Sequence, residues 1–203
     1  MPRIAAARDA AEPSSDEQHA RHQRMLVAAA TLAGQKEFAR VQMHDVARMS
    51  GVAIGTLYRY FPSKTHLFVA VTLDQVESLH AALTRNPGRR TSPSEAVYTV
   101  LVKATRALLS NHALSTAMIG STSTANALLV PDATRVDERF RQILLDVAGV
   151  ENPTAGEATS LRLLVHLWFG IVQSCLNGRV SAAEAQEDIR RGCELLLVGF
   201  PDR

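Results

Sequence analysis

From Ser15 onward, the chain repeats its apolar residues at three- and four-residue intervals between one proline or glycine break and the next, and that spacing suits one backbone, the α-helix. Leu67, Val71, Val76 and Leu79 form one such stripe. Val97, Leu101, Ala104 and Leu108 form another, and Val136, Phe140, Ile143 and Leu144 a third. No run alternates apolar and polar residues with the period of two that a half-buried strand requires. The expectation is an all-α chain, with helices over 16–34, 42–50, 53–61, 64–85, 94–109, 114–120, 133–148, 155–177 and 182–199.

Local chemistry marks where these helices begin and end. Ser15 or Asp16 can cap the first, Ser63 the fourth and Ser181 the last, each offering a side-chain oxygen to a free backbone N–H. Pro62, Asn86-Pro87-Gly88, Asn152-Pro153 and Asn177-Gly178 break the pattern. Residues 121–132 are rich in Ser and Thr, contain Pro131 and show no clear period. Residues 1–15, Ala-rich with two prolines, read as a flexible arm. The rest divides into a small three-helix unit, 16–62, and a larger helical unit, 63–203.

Several function classes fall away. There is no Gly-rich phosphate loop, no Gly-x-Ser-x-Gly elbow and no Cys/His spacing suited to zinc. The one Glu-x-x-His, Glu77 to His80, has no second copy to complete a carboxylate-bridged metal site. No enzyme, cofactor or metal is expected. Cys175 and Cys193 lie far apart in apolar patterns and read as small core residues of a reduced protein. The chain opens without a signal peptide, and its most apolar stretch, 163–176, is interrupted by His166, Gln173 and Ser174. A spanning helix needs about 20 residues, so no membrane partner and a cytoplasmic location are expected.

The informative stretch is 42–64. Met43, Val46 and Ala47 make the inner face of one short helix, Gly51 supplies a turn residue, and Val52 and Leu57 face inward from the next. Two short helices about a glycine turn suit a helix-turn-helix. The second helix crowds Thr56, Tyr58, Arg59 and Tyr60 around Gly55, where backbone can approach another surface. Hydroxyls can donate to phosphates, and an arginine can reach a phosphate or a guanine edge. Tyr58 is also compatible with the core. Residues 16–66 hold seven cations against four anions, a local excess of +3 beside +2 for the whole chain, so the positive balance is concentrated here.

Gly51-Val52, Gly55-Thr56-Leu57-Tyr58 and Phe61 with Ser63-Lys64 resemble the DNA-binding signature of the TetR family of bacterial repressors. Within that family, 41–43 and 52–64 look most like the KstR-type repressors of sterol catabolism in actinobacteria. Two positions depart from the pattern: Ala53 stands where many members have Ser or Thr, and Glu37 where many have Gly. The resemblance implies that Gln42 and Thr56 contact phosphate or base edges, that Tyr58, Tyr60 and Lys64 grip the DNA backbone, that Gly55 allows close approach and that Arg59 reads bases. It also implies a homodimer on a palindromic double-stranded operator, and hence a nucleoid-associated protein.

The larger unit fits the ligand-binding and dimerisation domain that the family carries. The helix 155–177 is apolar almost all round, with Leu161, Leu164, Leu167, Trp168 and Ile171 among its residues, so it must be covered on more than one side. The resemblance implies pairing of the last two helices with those of a second copy. Leu114, Met118, Leu128, Phe140, Leu144, Trp168 and Phe169 are candidates to line an apolar cavity. Its occupant would be a small apolar effector with few charges, which the resemblance makes a sterol-derived or fatty acyl-CoA thioester. The competing reading is a helical interaction module without DNA binding, which leaves the Tyr58–Arg59–Tyr60 cluster idle.

Overall fold

The computed structural model describes residues 10–85 and 91–200, and every regular element among them is helical. In chain order they are α1 (Asp16–Gln35), a 3-10 turn (Phe38–Arg40), α2 (Met43–Ser50), α3 (Ile54–Tyr60), α4 (Lys64–Arg85), α5 (Pro93–Ser110), α6 (His112–Thr124), α7 (Asp132–Ala148), α8 (Ala155–Leu176) and α9 (Ala182–Leu196). The expected break at Asn86-Pro87-Gly88 lies outside the described residues.

Capping sets most of these boundaries. The Ser15 hydroxyl accepts from the Gln18 N–H, and Ser63 does the same for His66. α8 and α9 start on reciprocal boxes, Thr154 with Glu157 and Ser181 with Glu184, each pair satisfying two backbone N–H groups that have no partner within the helix. The capping hydrogen bonds hold the Glu184 carboxyl below its ordinary range. Gly51 ends α2 with φ 68°, the left-handed geometry that costs a side-chain-bearing residue most.

Two expectations change. α6 runs on to Thr124, well past 120, and there Thr122, Ser123 and Thr124 turn their hydroxyls onto the carbonyls of Met118, Ile119 and Gly120. Spent inside the helix, that polarity no longer argues for a loop. The arm is also not free over its described part. The Ala11 N–H donates to the Arg59 carbonyl at 3.0 Å, and Glu12 pairs with Arg135 at 3.3 Å. These contacts tie the residues just before α1 to the end of α3 and to α7.

Two apolar clusters organise the chain. One unites α1, α2 and α3 with the first two turns of α4, including Met25, Val46, Leu57, Leu67 and Phe68. The other fills the space among α4, α5, α7, α8 and α9, with Leu101, Ile143, Leu144, Leu164 and Ile189 at its centre. The first reaches beyond residue 62 into α4 as far as Val71, and Ala117 and Met118 of α6 also belong to it. The small unit is thus seated on the larger one through α4 and α6. By length and composition α8 would pass for a membrane span, yet its Leu161, Leu164, Trp168 and Val172 are buried in the bundle, as in a core helix.

Candidate functional site

The first site is the outer face of α2 and α3. Leu57 is fully buried and fixes α3 against the core, and the flanking positions turn outward. Gly55, Tyr58 and Arg59 are exposed, Thr56 is half-buried, and Gln42 is exposed at the N-cap of α2. A Cβ added at Gly55 would meet nothing within 4 Å beyond its own stretch of α3, so no packing neighbour demands a glycine there.

Charge pairing singles out one cation. Arg21 pairs with Glu17, Arg40 with Glu37, and both Lys36 and Arg48 with Asp45. The Lys36 hydrogen bond holds the Asp45 carboxyl below its usual range. Arg24 reaches the Ser50 carbonyl at 3.5 Å. The Arg59 side chain has no ion pair or hydrogen bond among the described residues. It stands on the reading helix with its five donors available.

Two residues expected to grip DNA are engaged within the chain. The Lys64 ammonium donates to the main-chain carbonyls of Phe38, at 2.8 Å, and Val41, at 3.2 Å, and lies 4.3 Å from the Phe38 ring centroid. Partial burial lowers its pKa. It closes the 3-10 turn onto α4, giving the Val41 carbonyl a donor and the Phe38 carbonyl a second one beside the Val41 N–H. Tyr60 is 5% exposed, with its ring against His22. Its phase along α3 places it with Leu57 on the inner face.

The second site is a cavity of about 180 Å³ among α4, α5, α6, α7 and α8. Of the expected lining residues, Leu114, Met118, Phe140, Trp168 and Phe169 are in its wall. Phe140 and Trp168 stack at 4.8 Å, and the Trp168 indole N–H donates to Thr105 Oγ1 at 2.9 Å. Leu128 and Leu144 are not in the wall. Leu128 is 91% exposed in the α6–α7 connection, and Leu144 is fully buried on the core side of α7. Stripe membership alone could not separate the face of α7 that meets the cavity from the face that meets the core.

The sequence reading missed the polar lining: Thr72, Gln75, Asn111, Ser115, Thr122 and Asp137. The available signal was their place beside stripe residues, as with Asp137 next to Val136. Met118 and Leu114 have a double role in packing, since both line the cavity and both pack with the cluster that carries α2 and α3.

Comparison with known proteins agrees with this architecture. Residues 25–71 match the model of bacterial regulatory proteins of the tetR family, and residues 91–196 match a tetracyclin repressor-like C-terminal domain. The chain belongs to the TetR family. It is 31% identical over 184 residues to the HTH-type transcriptional repressor KstR of Rhodococcus jostii, covering 91% of this chain and 86% of that protein. KstR of Mycobacterium tuberculosis is 27% identical, over 92% of this chain and 84% of its own length. Among solved structures, a TetR transcriptional regulator from Rhodococcus sp. RHA1 is 63% identical with a TM-score of 0.88, covering 92% of this chain and all of that one. Thermus thermophilus FadR, solved with lauroyl-CoA, shares the fold with a TM-score of 0.69 at 18% identity, over 90% of this chain and 96% of its own. The family consists of DNA-binding transcriptional regulators, not enzymes, and the helix-turn-helix of α2 and α3 is its DNA-binding element.

Proposed function

We propose that this protein is an effector-responsive repressor, binding a palindromic operator as a dimer and released by an apolar ligand of the sterol-derived or fatty acyl thioester class. The observation that carries the reading is the sharing of α4 and α6 between the two sites. The helices that wall the cavity also hold the core under the reading helix. A ligand that binds better to one arrangement of α4 and α6 necessarily shifts the position of α3 in the population.

On the DNA side, Gln42, Thr56, Tyr58 and Arg59 supply the contacts. Gly55 leaves room for the sugar-phosphate backbone, which explains a glycine that no packing neighbour requires. On the dimer side, Leu163 and Leu167 on α8, Leu195 in the last turn of α9 and Val198 just past it are all exposed, an apolar surface that a second copy would cover. Two reading heads about 34–36 Å apart would then enter successive major grooves. On the ligand side, the mostly apolar cavity wall supports a greasy effector, as do the KstR name of the relatives and the lauroyl-CoA bound by Thermus thermophilus FadR.

The test is a fluorescence-anisotropy titration against the DNA upstream of its own gene, at two salt concentrations, with and without a long-chain acyl-CoA. Tight binding that weakens steeply with salt, and further with the thioester, is expected. Binding indifferent to the thioester would discard that ligand class. Absence of binding at low salt, to this DNA and to a random operator library, would favour the interaction-module reading.

A further inference from the structure

The polar groups of the cavity wall divide into two sets. Thr72 donates to the Phe68 carbonyl, Thr122 to that of Met118 and Ser115 to that of Leu108. Asn111 accepts from the Leu114 N–H. These four are engaged with backbone of their own helices or of the adjoining one. Gln75 on α4 and Asp137 on α7 make no hydrogen bond among the described residues. Both are exposed at the edge of the cavity, on helices that pack against each other. Asp137 is also the one ionisable side chain among the described residues of the wall, and none of those residues is a cation that could balance it.

From this we propose that the cavity selects an uncharged apolar molecule bearing a hydroxyl group, with Asp137 as the residue that recognises the hydroxyl and turns carboxylates away. The proposal rests on the reading of the cavity as an effector site and narrows the ligand stated above to the sterol-derived class in a neutral, hydroxyl-bearing form; a CoA thioester, which carries phosphates, falls outside it. An apolar body enters among Met118, Phe140 and Trp168, and its polar end stays at the rim. There a hydroxyl donates to the Asp137 carboxylate, a charge-assisted hydrogen bond stronger than a neutral one. The same hydroxyl oxygen accepts from the Gln75 amide. A carboxylate at that place would lose water, find no lining cation and face a fixed negative charge. Partial burial raises the Asp137 pKa, with Arg141 and His166 favouring its charged form and Glu138 opposing it. Arg141 and His166 do not line the cavity, so they help keep Asp137 ionised without offering a ligand carboxylate a seat.

Trp168 is the single tryptophan of the chain and stands in the wall, so its emission reports occupancy. The full-length protein is titrated with decanol, methyl decanoate and decanoate at about pH 8, above the usual carboxylate range. Decanol should bind at least about tenfold more tightly than decanoate, with the ester between. Asp137→Asn keeps the shape and an acceptor oxygen but removes the charge, and should narrow the decanol-to-decanoate ratio by at least about threefold. Equal binding of decanoate and decanol by the unmodified protein would overturn the proposal, as would an unchanged ratio in the variant. If none of the three changes the Trp168 emission, the effector reading of the cavity fails with it, and operator binding measured in the same samples shows whether the DNA-binding half stands.

Discussion

The Lys64 ammonium and the Phe38 carbonyl are joined at 2.8 Å across 26 residues of sequence, with the Phe38 ring beneath the same cation. This contact makes Lys64 a brace of the small domain, holding the turn before α2 to the start of α4. Lys64→Met keeps the stem but takes the donor from the Val41 carbonyl and leaves the Phe38 carbonyl with the Val41 N–H alone, and should destabilise the domain by about 1 kcal/mol for contacts this close to solvent. The slope of log affinity against log salt should not change. A phosphate-binding lysine would behave the other way, with unchanged melting and a slope reduced by about 1.

Arg59 should show the opposite pattern to Lys64. Its side chain is exposed on the reading helix and engages nothing in the described fold. Arg59→Ala should leave the unfolding free energy within about 0.5 kcal/mol of the parent. Operator affinity should fall by about 1–3 kcal/mol, read by the same anisotropy titration. Undiminished affinity would remove Arg59 from the interface.

The apolar surface on α8 and around the end of α9 predicts the assembly state. Leu167 and Leu195 are 43% and 60% exposed in the single chain. Leu167→Glu places a charge where a second copy would bury it, and self-association measured by sedimentation should weaken at least about tenfold. Helix content by circular dichroism should not change. A dimer of undiminished stability would move the interface elsewhere.

His22 links the small domain to pH. Its ring lies 4.9 Å from that of Phe61, and burial lowers its pKa from the ordinary 6.5, with Asp132 and Asp74 opposing that shift and His19 adding to it. The unfolded chain therefore takes up the proton first as pH falls. The His22 contribution to stability should be constant above 6.5, decline as pH drops from there towards the folded-state value, and level off below it. His22→Gln should flatten that decline in thermal melts between about pH 7 and 5. Parallel curves for the two proteins would break the link.

Much of this protein was legible from neighbours in the chain. The helices of the body, the Gly51 turn and the serine caps at 15, 63 and 181 depend on interactions within about four residues, and a sequence displays those directly. The exposed half of the reading helix, Tyr58 and Arg59, followed from the same local logic. What escaped was decided by distant segments. Lys64 turns inward because Phe38 and Val41 present carbonyls to it from before α2. Tyr60 shares the inner face of α3 with Leu57, and His22 of α1 covers its ring there. Leu128 and Leu144 fall outside the cavity, and Asp137 and Gln75 stand at its edge, because five helices far apart in sequence cross at one place. Periodicity tells which face of a helix is covered. Only the packing of the other helices tells whether that face meets the core, a cavity or the solvent.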